Sequence, residues 1–122
     1  MQPRTAARIL TLGRVAFGAA LMAAPAKAAS GWVGDTAYRP EAQVPLVALG
    51  ARDMALGLGG AWAVQGGADP RPWLIGGTFS DLADLSATIR HRDALPPAGV
   101  VGVGALAAGA AAAGLWLATR LD

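Results

Sequence analysis

The chain is 122 residues long, with 54% hydrophobic residues, 15% charged residues and a formal charge of +2. A soluble domain carries roughly a quarter of its residues charged, so this chain lacks the polar surface to cover itself. No basic run provides a footprint for nucleic acid. The absence of cysteine excludes disulfides, thiolate metal sites and a Cys nucleophile.

About 20 apolar residues in helical form cross a hydrocarbon core of about 30 Å. Four stretches approach that length, and together they predict an all-α, four-helix transmembrane bundle forming a single domain over residues 1–122. The first span covers about 9–25. It carries Arg14 and follows Arg4 and Arg8. A competing reading is a secretory signal peptide, with the apolar core at 15–24 and a small-x-small cleavage site at Ala26-Lys27-Ala28. Against it, Arg14 lies late for a leader's basic region, and cleavage would leave three helices.

Residues 28–43 are expected to form a longer loop near the membrane interface. The second span, about 44–65, has Pro45 in its first turn, where a missing N–H costs little. It contains the adjacent charges Arg52 and Asp53. The third span, about 73–89, begins after the Pro70-Arg71-Pro72 turn and contains Asp81 and Asp84. The fourth, about 98–119, follows Pro96-Pro97 and contains no charge.

If the helices alternate, Trp62, Trp73 and Trp116 fall near one membrane face, and Trp32 and Tyr38 near the other. Amphipathic rings favour those levels. The cations give no direction: Arg4, Arg8, Arg71 and Arg120 on one face balance Lys27, Arg39, Arg90 and Arg92 on the other. An even number of spans puts both termini on one side, expected to be the cytoplasmic side of a plasma membrane.

The charges inside the spans are the candidate site. Each costs about 2.5–3.5 kcal/mol at a helix centre, against about 0.3–0.6 gained by a Leu, Ile or Phe. The third span therefore does not insert stably alone; it needs partners. At about 100° per residue, Gly77, Ser80, Asp81, Asp84 and Thr88 share one face, opposite Ile75, Phe79, Leu82 and Ile89. On the second span Asp53 shares a face with Gly50, Gly57 and Gly60, where another backbone can come close. Depth counting pairs Arg52 with Asp84 or Asp81, and Arg14 with Asp81 or Asp53, in a buried network of Arg14, Arg52, Asp53, Asp81 and Asp84. Two arginines against three aspartates leave one carboxylate in excess. Such a set serves a proton relay, and serves equally to fix helix orientation in an inert core.

Other signals are weaker. Gly104, Ala108 and Ala112 recur at the spacing of close helix packing. That packing is either within the bundle or against a second copy or a partner membrane protein. His91, between Arg90 and Arg92, reads as a solvated interfacial residue. Asp81-x-x-Asp84 is similar to the opening of the CDP-alcohol phosphotransferase motif, where paired aspartates hold a divalent metal. The match stops there. Leu85 replaces the Gly, Thr88 follows Ala87 in place of Arg, and no second aspartate pair exists. No enzyme activity and no cofactor are expected.

A wider resemblance runs through Gly13-Arg14-Val15-Ala16-Phe17-Gly18, Pro25, Trp32-Val33-Gly34, Gly50-Ala51-Arg52-Asp53, Leu56-Gly57-Leu58-Gly59 and Asp81-x-x-Asp84. In these blocks the chain resembles a family of small bacterial four-helix integral membrane proteins of unassigned function, with Gly-Ala-Arg-Asp its most specific element. The resemblance implies four helices and a retained first span. It implies no activity. The functional expectation is a structural or accessory membrane protein whose partner is the lipid bilayer, with a small proton-coupled transporter as the alternative.

Overall fold

The computed structural model describes residues 1–121. Five α-helices follow one another: α1 (Pro3–Ala23), α2 (Pro25–Val33), α3 (Pro40–Gly66), α4 (Arg71–Arg90) and α5 (Pro97–Arg120). Short 3₁₀ turns occupy Gly34–Tyr38 and Arg92–Ala94, and no strand is present among the described residues. Every α-helix has proline in its first turn. The missing N–H there would be unpaired in any case, and the fixed φ suits a helix start. Gly67, in the left-handed conformation at φ 74°, ends α3.

Two helices, α1 and α5, are long and apolar enough to cross a membrane, not four. The second and third expected spans form the long helices α3 and α4. Arg52-Asp53 in one and Asp81 with Asp84 in the other lower their apolarity. The segment expected as a loop over 28–43 is mostly helical: α2, a 3₁₀ turn and the first residues of α3 occupy it. Ala24, at φ −143° and ψ 67°, breaks the chain between α1 and α2. Gly99 of α5 then fits against the Gly31 carbonyl and Trp32 backbone, so close that a Cβ has no room.

The long helices pack antiparallel in sequence, with α1 against α3 and α4 against α5 as the main pairs. The α1–α3 seam is made by glycine. A Cβ on Gly18 would lie 2.5 Å from the Gly50 carbonyl oxygen, and one on Gly57 would lie 2.6 Å from the Thr11 oxygen. Small residues permit such backbone contact, and dispersion along the seam replaces the interdigitation of large side chains. In the α4–α5 pair, Gly114 meets the Thr78 hydroxyl, which donates to the Ala111 carbonyl at 3.2 Å.

Arginines tie the helix ends at one end of the bundle. Arg4 at the start of α1 donates to the Val64 carbonyl near the end of α3, at 3.0 Å. Arg71 at the start of α4 donates to the carbonyls of Ala118 (3.2 Å) and Leu121 at the end of α5. The last carbonyls of a helix lack intrahelical donors, and a guanidinium supplies them. Two small apolar clusters close the ends of the bundle, one around Leu74 and Leu117, the other around Leu21 and Leu46.

Candidate functional site

Between those clusters the interior is polar. Asp53 is 2% exposed and Asp81 7%, whereas Phe79 on the same helix as Asp81 is 75% exposed. The α4 face of Gly77, Ser80, Asp81 and Thr88 is buried, and Ile75, Leu82 and Ile89 stand outward with Phe79. Burial of a charge is tolerated only with a partner and hydrogen bonds, and here each buried charge has both.

The five charged residues form one chain of alternating sign. Arg14 of α1 donates through Nη2 to Asp81 Oδ2 at 2.5 Å and through Nη1 to Asp53 Oδ1 at 3.2 Å. Arg52 donates to the same Asp53 Oδ1 through Nε (3.2 Å) and Nη2 (3.1 Å). It also forms a two-pronged pair with Asp84, through Nη1 to Oδ1 at 3.1 Å and Nη2 to Oδ2 at 2.8 Å. The planar guanidinium fork matches the two carboxylate oxygens, an arrangement lysine cannot reproduce. Of the pairs left open by depth counting, Arg52 takes Asp84 and Arg14 takes both Asp81 and Asp53.

Local sequence explains how three helices deliver these groups to one place. Asp81 and Asp84 are one helical turn apart, so both reach the same side of α4. Gly77, one turn before Asp81, leaves space for the Arg14 guanidinium; a Cβ there would lie 3.0 Å from Nη2. The glycine seam brings α1 close enough to α3 for Arg14 to reach Asp53. Asp53 at the centre of the chain is the most buried, its side chain 3% exposed, and the Arg52–Asp84 arm is the more open, with Arg52 32% exposed.

Trp32 and Thr88 extend the site; the sequence puts Thr88 on the polar face of α4 and Trp32 near a membrane face, but joins neither to the charge network. The Trp32 indole N–H donates to the Thr88 hydroxyl at 3.1 Å, and that hydroxyl donates to the Asp84 carbonyl at 2.7 Å. The available signal was the position of Thr88 one turn beyond Asp84 on the polar face.

A cavity of about 330 Å³ opens between α1 and α5, which touch each other only sparingly. Ile9, Phe17 and Leu106 form part of its wall and are themselves exposed, so it opens sideways out of the bundle. Arg14, Asp53, Asp81 and Asp84 also line it. Among the described residues no group of three His, Cys, Asp or Glu is placed to hold a metal ion. His91 is exposed at the end of α4, outside the network. No family model, curated protein or solved structure matches the chain.

Proposed function

We propose that this chain is a multi-pass protein of the plasma membrane that crosses the bilayer four times, with a structural or accessory, non-enzymatic role. One observation carries the reading: midway along the long helices the charges of Arg14, Asp53 and Asp81 face the interior, while large apolar residues such as Phe79, Val101 and Leu106 face outward. Only 22% of each apolar window of α1 and α5 is buried, where the core helix of a soluble protein would be mostly covered. The helices α3 and α4 have the same outward character, with Val44, Leu58 and Trp62 exposed on one and Ile75, Phe79 and Leu82 on the other. Their charges turn inward and are paired, which removes most of the cost of placing them at membrane depth. Trp62, Trp73 and Trp116 stand toward one end of the bundle and Tyr38 toward the other, at levels suited to two headgroup regions. The same reading places the chain in the bacterial family it resembles and retains the first helix, since α1 supplies Arg14 and covers α3.

The lack of native cysteine makes topology directly measurable. Single cysteines at Gly67 and at Arg92 flank α4. In sealed vesicles, an impermeant maleimide should label one from outside and the other only after permeabilisation. Labelling of both from the same side would mean that α4 does not cross.

A second reading, a proton-conducting or proton-coupled protein, is favoured by the cavity that reaches Asp53, Asp81 and Asp84. Proton flux in liposomes that disappears in a folded Asp81→Asn/Asp84→Asn variant would establish it. Absence of flux in both would leave the structural role.

A further inference from the structure

The lateral cavity has apolar walls and an acidic floor, and the hydrogen bonds of that floor are incomplete. Asp84 has both oxygens engaged by Arg52. Asp53 receives its three hydrogen bonds on Oδ1 alone, and Asp81 its single one on Oδ2. Among the described residues, Asp53 Oδ2 and Asp81 Oδ1 receive no donor. Neither is sealed in protein, because every fully enclosed side-chain nitrogen or oxygen has a hydrogen-bond partner. Both carboxylates line the cavity, although Asp53 is 2% exposed.

The cations of the floor are thus spoken for, since Arg14, which also lines the cavity, donates to these same two carboxylates, and the oxygens left without a donor are both acceptors. The charge of the floor is also unbalanced, since two guanidiniums face three carboxylates. An anion would add to the excess. A neutral apolar molecule would leave two carboxylate oxygens facing hydrocarbon without donors, at a cost of about 1–3 kcal/mol or more for each unsatisfied group. A cation with N–H donors satisfies both acceptors and neutralises the site. The volume, at the lower end of the range for small-molecule pockets, suits a compact ligand.

We infer that the cavity between α1 and α5 binds a compact hydrophobic ammonium ion that enters from the membrane side. Its N–H groups reach Asp53 Oδ2 and Asp81 Oδ1, and its hydrocarbon part lies against Ile9, Phe17, Val103 and Leu106. The inference rests on the four-span reading, which gives the lateral opening access to lipid. It adds a ligand class that the network alone does not name.

The test uses the full chain in lipid nanodiscs, titrated calorimetrically with 1-adamantylammonium, and empty nanodiscs as the blank. Saturable uptake of one ammonium per chain is expected. The neutral 1-adamantanol should bind at least about tenfold more weakly, equivalent to about 1.4 kcal/mol. Leu106→Trp at the rim and Val103→Phe in the wall should each reduce ammonium binding about tenfold or more, with helical circular dichroism unchanged. Two wall variants are used so that a folding defect in one does not decide the result. Uptake indistinguishable from empty discs, equal binding of the alcohol, or full binding by a folded wall variant would overturn the inference. If the cysteines flanking α4 label from one side, the four-span reading fails and takes the inference with it. If they label from opposite sides and the discs behave as blanks, only the ligand is refuted.

Discussion

Gly18 and Gly13 lie on the same helix, yet their substitution by alanine should act in opposite directions. A Cβ on Gly18 would meet the Gly50 carbonyl oxygen at 2.5 Å and the Met54 nitrogen at 2.6 Å, both backbone atoms that cannot rotate away. Restoring an ordinary contact of about 3.4 Å requires α1 to back away from α3 by about 0.9 Å. Arg14 lies one turn from Gly18, and its 3.2 Å bond to Asp53 would stretch to about 4 Å with that motion, beyond hydrogen-bonding range. Overpacking of this kind costs about 1–3 kcal/mol, and the weakened polar contact adds up to about 1 kcal/mol. A Cβ on Gly13 has nothing within 4 Å, so Gly13→Ala retains only the gain in helix propensity, up to about 1 kcal/mol. The propensity gain is common to both, so the two variants should differ by about 1–4 kcal/mol in unfolding free energy. The assay is unfolding in mixed micelles with rising dodecyl sulfate, followed by far-ultraviolet circular dichroism. A Gly18→Ala protein as stable as Gly13→Ala would refute the claim that the α1–α3 seam is a backbone contact.

Arg14→Met leaves Asp81 without its guanidinium and should cost about 3–5 kcal/mol in the same assay, the scale of a broken buried pair; adding Asp81→Leu should recover part of that loss, and no recovery would argue against direct coupling. Thr88→Val leaves the Trp32 N–H without its acceptor and should cost about 1 kcal/mol with a change in tryptophan emission. Unchanged stability and emission would mean that this bond is not formed in the membrane. Arg71→Met removes the donors at the last turn of α5, so hydrogen exchange should accelerate at the end of α5 and not in its middle. Uniform exchange along α5 would contradict the capping role.

The buried charges were legible in the sequence because ionisable groups are costly within apolar helices and stand out against them. Helical periodicity was enough to put Asp81, Asp84 and Thr88 on one side of α4 and Phe79 and Leu82 on the other. Pair identities were less accessible. Arginine side chains are long and flexible, so depth counting left Arg52 with two candidate partners and gave no sign that Asp53 Oδ1 would accept from both guanidiniums. The helical character of residues 25–38 was obscured by Gly31, Gly34 and Asp35, which locally suggest a turn. The packing of Gly31 and Trp32 against Gly99, a contact distant in sequence, is invisible to local pattern. Arg4 and Arg71 were read only as charges flanking a span, although each was already placed to reach the far end of a neighbouring helix. The cavity has no sequence signature at all, because it arises from the gap between α1 and α5.

The alternating charge chain has a consequence for biosynthesis. Arg14, Arg52 and Asp53 precede α4 in the chain and therefore emerge from the ribosome before it. On the four-span reading, a nascent chain that stops short of residue 81 carries two guanidiniums and one carboxylate at membrane depth. Only the arrival of α4 supplies Asp81 and Asp84 and converts that intermediate into a neutral-to-acidic core. Released singly into lipid, α1 would bear Arg14 and α4 would bear Asp81 and Asp84 without their partners, so on the four-span reading α1 and α3 are best held beside the insertion machinery until α4 emerges. A truncated product would remain cationic at its centre, a state that the finished protein does not share.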